Sequence, residues 1–429
     1  MKHAPSQGKR RIRICVGTSY AATAEPRAPR YAAALARMDP DYEVVFVDCV
    51  PIGQQAIVPA EFEGLTNLTC KTCYFAWRGG ARHRLVLEKA RQHLAQRDFR
   101  RGGIPRTEGL STRAIGLEKM LIEQHADLYF GFNIDALLPV YQAAHIAGVP
   151  FMFDCQEIYA EMAHRQTDVE RSMIRAAQSR CLPSCALVLA ASPQAADFLE
   201  REFHLSGVLP LFNAAPIEEL PARAEDGSFS LYWRNGTIDL GPRGLEDALR
   251  ALTLLPSDVK LYLQGRPAAD GPGRVERFIR ELGIGNRVKI LPPYRPQEAV
   301  RAAAPYSVGL SLESPARINL DLTASNKFFD YAMAGLAIVS TRTEGLRHLI
   351  SAGNLGLVYE PGNPTDLATH ILRLYNDRTL LRRMRSNARA YALGEGNLEF
   401  QLHRFRKTVR QQVFPRIEIS RTNSAGDEL

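Results

Sequence analysis

SLYWRNGTIDLGPRGLEDAL, residues 230–249, joins a run of apolar and aromatic residues to a glycine-rich turn and the start of a helical pattern. Leu245, Ala248, Leu249, Leu252 and Leu255 recur at i, i+3, i+4 and i+7, so one apolar stripe of that helix faces a neighbouring layer. The run before the turn lacks strict alternation, as expected of a strand covered on both faces. Strand, loop and helix in that order make half of a βαβ unit, and the chain repeats the pattern on both sides.

Downstream lie VKLYLQG (259–265), RVKILP (287–292), SVGLSL (307–312), AIVST (337–341) and LGLVY (355–359), separated by helix-length segments. Upstream lies an earlier series: RIRICV (11–16), EVVFVD (43–48), ADLYFG (126–131), PFMFD (150–154) and ALVLA (186–190). PRAPRYAAALARM (26–38) and DALLPVYQAAHIAG (135–148) are helical segments between them. PLFNAAPIEELPARAEDGS (210–228) is proline-rich and without a period, so it separates the two series as a linker. The expected fold is α/β, with two Rossmann-like doubly wound parallel-sheet domains facing across a cleft. We expect a first domain over 1–210, a linker over 211–228 and a second domain over 229–396. A last helix over 397–415 crosses back to the first domain, and the tail 416–429 carries no structure.

Composition agrees with two domains: 429 residues exceed one ordinary core, and 45% hydrophobic with 23% charged residues reads as a globular chain. The densest apolar stretch, 135–153, is broken by Gln142, His145 and Pro150, so no membrane-spanning helix is expected. MKHAPSQGKRRIRICVG at the N-terminus has no apolar core of a secretory signal, which points to the cytoplasm. Seven cysteines, an odd number, fit reduced thiols; Cys70 and Cys73 have metal-knuckle spacing, but Cys181 and Cys185 are too loosely placed to complete a zinc site. The net charge of +8 is concentrated: Arg78 to Arg113 holds ten Lys/Arg against three acids, with Leu85, Leu87, Leu94 and Phe99 interleaved. That segment reads either as a solvated helix or as a peripheral contact with an anionic membrane at the inner face. No finger, knuckle or RNP-like run accompanies the charge, so no nucleic acid is expected as a partner.

In open α/β sheets, ligands bind beyond the carboxyl ends of the strands. After the first strand, GTSYAATAEPR has neither the dinucleotide fingerprint nor a lysine-bearing phosphate loop. The junction RNGTIDLGPRGLEDAL (234–249) places Arg243 between Pro242 and Gly244 at a helix start, where it reads as a phosphate ligand or as plain turn chemistry. ASNKFFDYAMAG (324–335) is more pointed. Thr323 to Asn326 would cap a helix, Lys327 adds a cation to its first turn, and Asp330 falls one turn further on. A lysine is unfavourable at a helix N-terminus unless something negative sits there. The stretch therefore reads as an anion cradle with a carboxylate placed to accept from sugar hydroxyls, or else as a capped core helix.

Taken together, G-x-I-x-x-x-x-R-G-L at 236–245, S-N-K-x-x-D-Y-x-x-A-G-x-x-I-V-S-T at 325–341 and G-L-V-Y-x-P-G-N-P-x-D-L at 356–367 resemble the GT-B-fold family 4 glycosyltransferases. E-P-R-A-P-R-Y-A-A-A-L-A at 25–36, N-I-D-A-L-L-P at 133–139 and D-C-Q-E at 154–157 resemble that family's acceptor-side segments, and the similarity runs over about residues 12–393. The resemblance implies retaining, metal-independent transfer from a nucleotide-sugar, which is a donor substrate rather than a cofactor. It implies Arg243, Lys327 and Glu157 as catalytic residues. Donor contacts would come from Gly236, Thr237, Arg243, Gln264, Gly265, Tyr294, Ser325, Asn326, Lys327 and Asp330. Gly17, Thr18, Arg27, Asn133, Asp135, Gln156 and Glu157 would line the side of a glycan, lipid-linked or small-molecule acceptor.

The sequence departs from the family at three places. The family's paired glutamates become Leu322 and Asp330, with Asp321 and Glu313 the nearby carboxylates; Thr237 stands where many members have an arginine; Gln156 replaces a frequent histidine. These departures keep a non-catalytic, partner- or glycan-binding subunit open as an alternative, together with a sugar-nucleotide 2-epimerase.

Overall fold

The computed structural model describes residues 11–162, 167–221, 228–241, 243–268 and 273–426. The described chain divides into two compact units: the second is Leu211–Gln401 with Ala191–Ala195, and the first is the remainder. The first unit holds β1 (Ile12–Thr18), β2 (Tyr42–Pro51), β3 (Leu68–Phe75), β4 (Leu128–Phe132), β5 (Phe151–Cys155), β6 (Leu187–Ala190) and β7 (Leu209–Pro210). They form one parallel sheet in the order β3-β2-β1-β4-β5-β6-β7. The second unit holds β8 (Ser230–Ile238), β9 (Lys260–Pro267), β10 (Val288–Leu291), β11 (Val308–Ser311), β12 (Ala337–Thr341) and β13 (Gly356–Tyr359). These pair in parallel in the order β10-β9-β8-β11-β12-β13.

The lack of alternation in the strand sequences has the cause expected of it. Leu231 and Trp233 of β8 enter a core with Leu245, Leu249 and Leu252, while Tyr232 enters another on the opposite face with Phe328, Tyr331 and Ile338. Both faces of the sheet are thus closed by helices, and side chains of either parity are buried. Each sheet also has a point where strand order reverses, between β1 and β4 and between β8 and β11. The loops at the carboxyl ends of these neighbours diverge to opposite faces and leave room for a ligand.

Three features differ from the sequence expectation. LTCKTCYF, read for its cysteine spacing, is the edge strand β3, with Thr69, Cys70 and Lys71 exposed and Cys73 buried beside Cys49 of β2. Strand β8 does not end at Asn235-Gly236; it runs on to Ile238 through an irregularity between Arg234 and Thr237. The segment expected to be a structureless tail continues the last helix: Leu398–Thr408 passes through one π-turn, Val409–Val413, into a helix at Phe414–Gly426. Pro242 lies outside the described residues, as do 427–429.

From Leu402 onward this last helix belongs to the first unit. Phe405 is fully buried there, its ring 4.7 Å from Tyr31 and 5.7 Å from Phe130. Truncating a buried phenylalanine removes its burial energy and leaves a cavity, at about 3–5 kcal/mol. Phe405→Ala is therefore expected to lower the unfolding free energy of the first unit by that amount, read as a lower denaturant midpoint; an unchanged midpoint contradicts this packing.

Candidate functional site

In the second unit, the chemistry gathers at the carboxyl ends of β8 and β11. The chain leaves β8 and reaches the helix Leu245–Thr253 through Arg243 and Gly244. Gly244 has φ of +63°, and a Cβ there would lie 2.6 Å from Leu312 Cβ, so this bend needs glycine. The Nε1 of the buried Trp233 donates to the Arg243 carbonyl at 3.1 Å, which fixes the backbone from which the Arg243 side chain projects.

That side chain meets Glu313, just past β11. Glu313 is 3% exposed, and its backbone N–H donates to Thr341 Oγ1 at 2.8 Å. One carboxylate oxygen pairs with the Arg243 guanidinium, and the other sits 2.6 Å from Lys327 Nζ. Burial alone would raise the Glu313 pKa, but Lys327 and Arg243 outweigh it and hold the carboxyl below its ordinary value. For Lys327 the balance is reversed: burial lowers its pKa, Glu313 raises it, Arg243 lowers it again, and the amine ends at about 8.

Lys327 stands in the first turn of the helix Asn326–Met333, whose N-cap Ser325 makes no side-chain capping bond. The expected side-chain cap is absent because Ser325 and Thr323 do not turn back; the Thr323 hydroxyl donates to the Asn319 carbonyl instead. The first turn thus keeps backbone N–H groups that no side chain caps, beside two cations. Phe328, Phe329 and Tyr331 bury the rest of the helix and leave Lys327 and Asp330, one turn apart, on one side.

A second cluster adjoins the first. Arg234, in the middle of β8 where its irregularity begins, pairs with Asp330, donates from Nη1 to Tyr294 Oη at 2.6 Å, and keeps a buried Nε without a partner. Its backbone N–H donates to Tyr331 Oη at 3.1 Å. Beside it the Tyr232 hydroxyl donates to Gln264 Oε1, and Gln264 Nε2 donates to the Pro292 carbonyl at 3.0 Å, tying β9 to the end of β10. A Cβ on Gly265 would lie 2.2 Å from the Asn235 carbonyl oxygen, so glycine lets β8 and β9 close. Gly236 and Thr237 follow on the extension of β8, where Gly236 is open to solvent.

The structure therefore brings Arg243, Lys327, Asp330, Gln264, Gly265 and Tyr294 to one end of the second sheet. It adds two residues with central parts. Arg234 directly follows the apolar run SLYW and carries no motif that singles it out. Glu313 was noted only as a nearby carboxylate. Three cations, Arg234, Arg243 and Lys327, face two carboxylates, so one positive charge is in excess.

In the first unit, Gly17 and Thr18 end β1, and Asn133, at φ +68°, donates from Nδ2 to Thr18 Oγ1 at 3.1 Å. The Asp135 carboxyl is raised by burial, against Ser111 and Arg113, which lower it. The Arg113 guanidinium lies 5.0 Å from the ring of the half-exposed Tyr20. Arg27, expected on the acceptor side, is instead 2% exposed and holds Asp154 through two contacts at 2.6 and 3.2 Å. It joins the helix Arg27–Ala36 to β5. Gln156 and Glu157 are half-buried after β5, and Gln156 Nε2 has no partner. Among the described residues no three His, Cys, Asp or Glu side chains converge as metal ligands.

Comparison with known proteins agrees with this architecture. Residues 236–377 match the family model described as glycosyl transferases group 1. Over 142 residues the chain is 30% identical to the D-inositol 3-phosphate glycosyltransferase of Nocardia farcinica (strain IFM 10152), covering 32% of this chain and 30% of that relative. The chain spans under a third of that relative's length. Among solved structures, sucrose-phosphate synthase from Thermosynechococcus elongatus superposes with a TM-score of 0.70 at 14% identity, over 94% of this chain and 99% of that one. Anabaena HepE, in complex with UDP, gives 0.64 at 16% identity over 93% and 100%. WaaG, a glycosyltransferase involved in lipopolysaccharide biosynthesis, gives 0.61 at 14% identity over 92% and 98%. The chain thus has the GT-B fold, and residues 236–377 within its second unit are similar to the glycosyl transferases group 1 family model.

Proposed function

We propose that this protein is a glycosyltransferase that moves a sugar, with retention of anomeric configuration, from a nucleoside-diphosphate donor to a glycan, lipid-linked or small-molecule acceptor. The observation that carries the reading is the meeting of Arg243 and Lys327 at the uncapped start of the helix Asn326–Met333, with Asp330 one turn along. Breaking the bond from sugar to phosphate builds negative charge on the leaving diphosphate. Two cations and free helix N–H groups, fixed beforehand and shielded from water, stabilise that charge as it appears. The same cations perform the neutralisation a metal would otherwise supply, so the transfer is proposed to be metal-independent. Arg234, Tyr294 and Gln264 flank the nucleoside side, and Asp330 accepts from the ribose hydroxyls once the donor loosens its pairing with Arg234.

Acceptor binding is assigned to the first unit, at Thr18, Asn133, Asp135, Gln156 and Glu157 around the ends of β1, β4 and β5. The two internal ion pairs, Arg234 with Asp330 and Glu313 with its cations, also favour a second reading, in which the chain is a glycosyltransferase-like binding subunit without turnover.

The helix Arg82–Arg100 supports a peripheral contact with an anionic membrane. It turns Glu88, Gln92 and Ala95 inward, and the amides of Gln92 and Gln96 donate to the carbonyls of Gly109 and Leu110. Val86, Leu87 and Leu94 are left 63–67% exposed among Arg91, Arg97 and Arg100. Apolar side chains held out among cations suit an acidic lipid surface, where burial and charge attraction act together.

Two outcomes are expected. In a thermal-shift screen with UDP, GDP, ADP and dTDP and their sugars, at least one raises the melting temperature; Lys327→Ala and Asp330→Ala abolish the shift, and Lys327→Ala lowers kcat by about 100- to 1000-fold. No response to any of the four sinks the donor reading, and turnover by the purified chain removes the binding-subunit reading. With phosphatidylglycerol vesicles, the protein sediments at low salt and part of it stays bound at high salt, whereas Leu87→Ser/Leu94→Ser remains in the supernatant; equal sedimentation of both proteins contradicts the membrane face.

A further inference from the structure

We propose that Glu313 is a positioning residue for the donor diphosphate, its buried carboxylate holding Arg243 and Lys327 side by side and aimed at one anion. The inference rests on the reading of those two cations as the diphosphate's partners. It assigns Glu313 a task different from touching the transferred sugar.

The geometry is built for holding. The backbone of Glu313 is fixed by Thr341, and its two carboxylate oxygens are divided between the cations, one for Arg243 and one for Lys327. The Lys327 side chain is 4% exposed, so water cannot solvate the ammonium or screen it from Arg243. The charged groups that face Lys327 are Glu313 from the end of β11, Arg243 from the segment before Leu245–Thr253, and Arg234 from β8. Burial and both arginines disfavour the ammonium; of these groups Glu313 alone favours it.

This gives the role a pH signature. With its amine at about 8, Lys327 is charged below that pH and loses its charge as pH rises through it. Replacing Glu313 by glutamine removes the one favourable charge at nearly constant shape, and loss of an opposite charge at this range lowers a lysine pKa by about 1–3 units. Lys327 would then be largely neutral at physiological pH, and the diphosphate would meet Arg243 with little help. A carboxylate that only stabilised the fold would change overall stability and leave the pH dependence of anion binding where it was.

The test uses the full chain labelled with 13C-lysine, as wild type, Glu313→Gln and Glu313→Asp. The Lys327 titration is followed by NMR without ligand, and UDP binding is measured by calorimetry from pH 6 to 9. Lys327 is expected to titrate at about 8 in the wild type. It should titrate at least about one unit lower in Glu313→Gln, with Glu313→Asp between them; the ratio of wild-type to Glu313→Gln affinity for UDP then grows about fivefold or more from pH 6 to pH 8. Should Glu313→Gln fail to fold, Glu313→Asp carries the same comparison with a smaller shift. A Lys327 titration that stays in place in both variants overturns the inference, while UDP binding by the wild type leaves the donor reading standing. A wild type that binds no UDP, GDP, ADP or dTDP overturns the donor reading and this inference with it.

Discussion

The second unit is organised around one carboxylate placed almost out of water between two cations. Burying Glu313 and Lys327 costs desolvation that their attraction only partly returns, so such a cluster is a poor way to gain stability. Apolar residues of similar size would serve the core at least as well. What the ion cluster supplies is position: Arg243 and Lys327 come from distant parts of the sequence, repel each other, and are still held within reach of one point.

The folding of the chain around this point follows from elementary constraints. Parallel strands need crossover helices, the crossovers cover both faces of the sheet, and the order reversal between β8 and β11 opens a gap at their carboxyl ends. Trp233 and Gly244 set the path into the helix Leu245–Thr253, while Phe328, Phe329 and Tyr331 anchor the helix that bears Lys327 and Asp330. Aromatic packing thus does the positioning from below, and the ions face one another above it. The sequence anomaly of a lysine at a helix N-terminus has a first answer inside the chain itself: Glu313 supplies the negative charge.

The inner strands and the switch from one sheet to the other are readable because strands buried on both faces leave continuous apolar runs, as in AIVST at β12. Strand β3 is not, because an edge strand with Thr69, Cys70 and Lys71 in solvent has no such run. The ion cluster is legible where a residue breaks a local rule, as Lys327 does at its helix start. Glu313 and Arg234 obey no local pattern; their importance comes from partners 14 to 96 positions away, which only the fold brings together. Arg27 shows the opposite case: its motif is readable in the sequence, while its ion pair with Asp154, 127 positions away, is visible only in the fold. The extended last helix was missed because its polar composition resembles that of a free tail, while Val413 and Ile417 remain buried.

The most direct measurement is a crystal structure of the protein grown with a nucleoside diphosphate. Diphosphate density is expected between the Arg243 guanidinium, the Lys327 amine and the backbone amides that open the helix Asn326–Met333, with the ribose beside Asp330. Density for the diphosphate anywhere else, with Arg243 and Lys327 still closed on Glu313 alone, would contradict this placement.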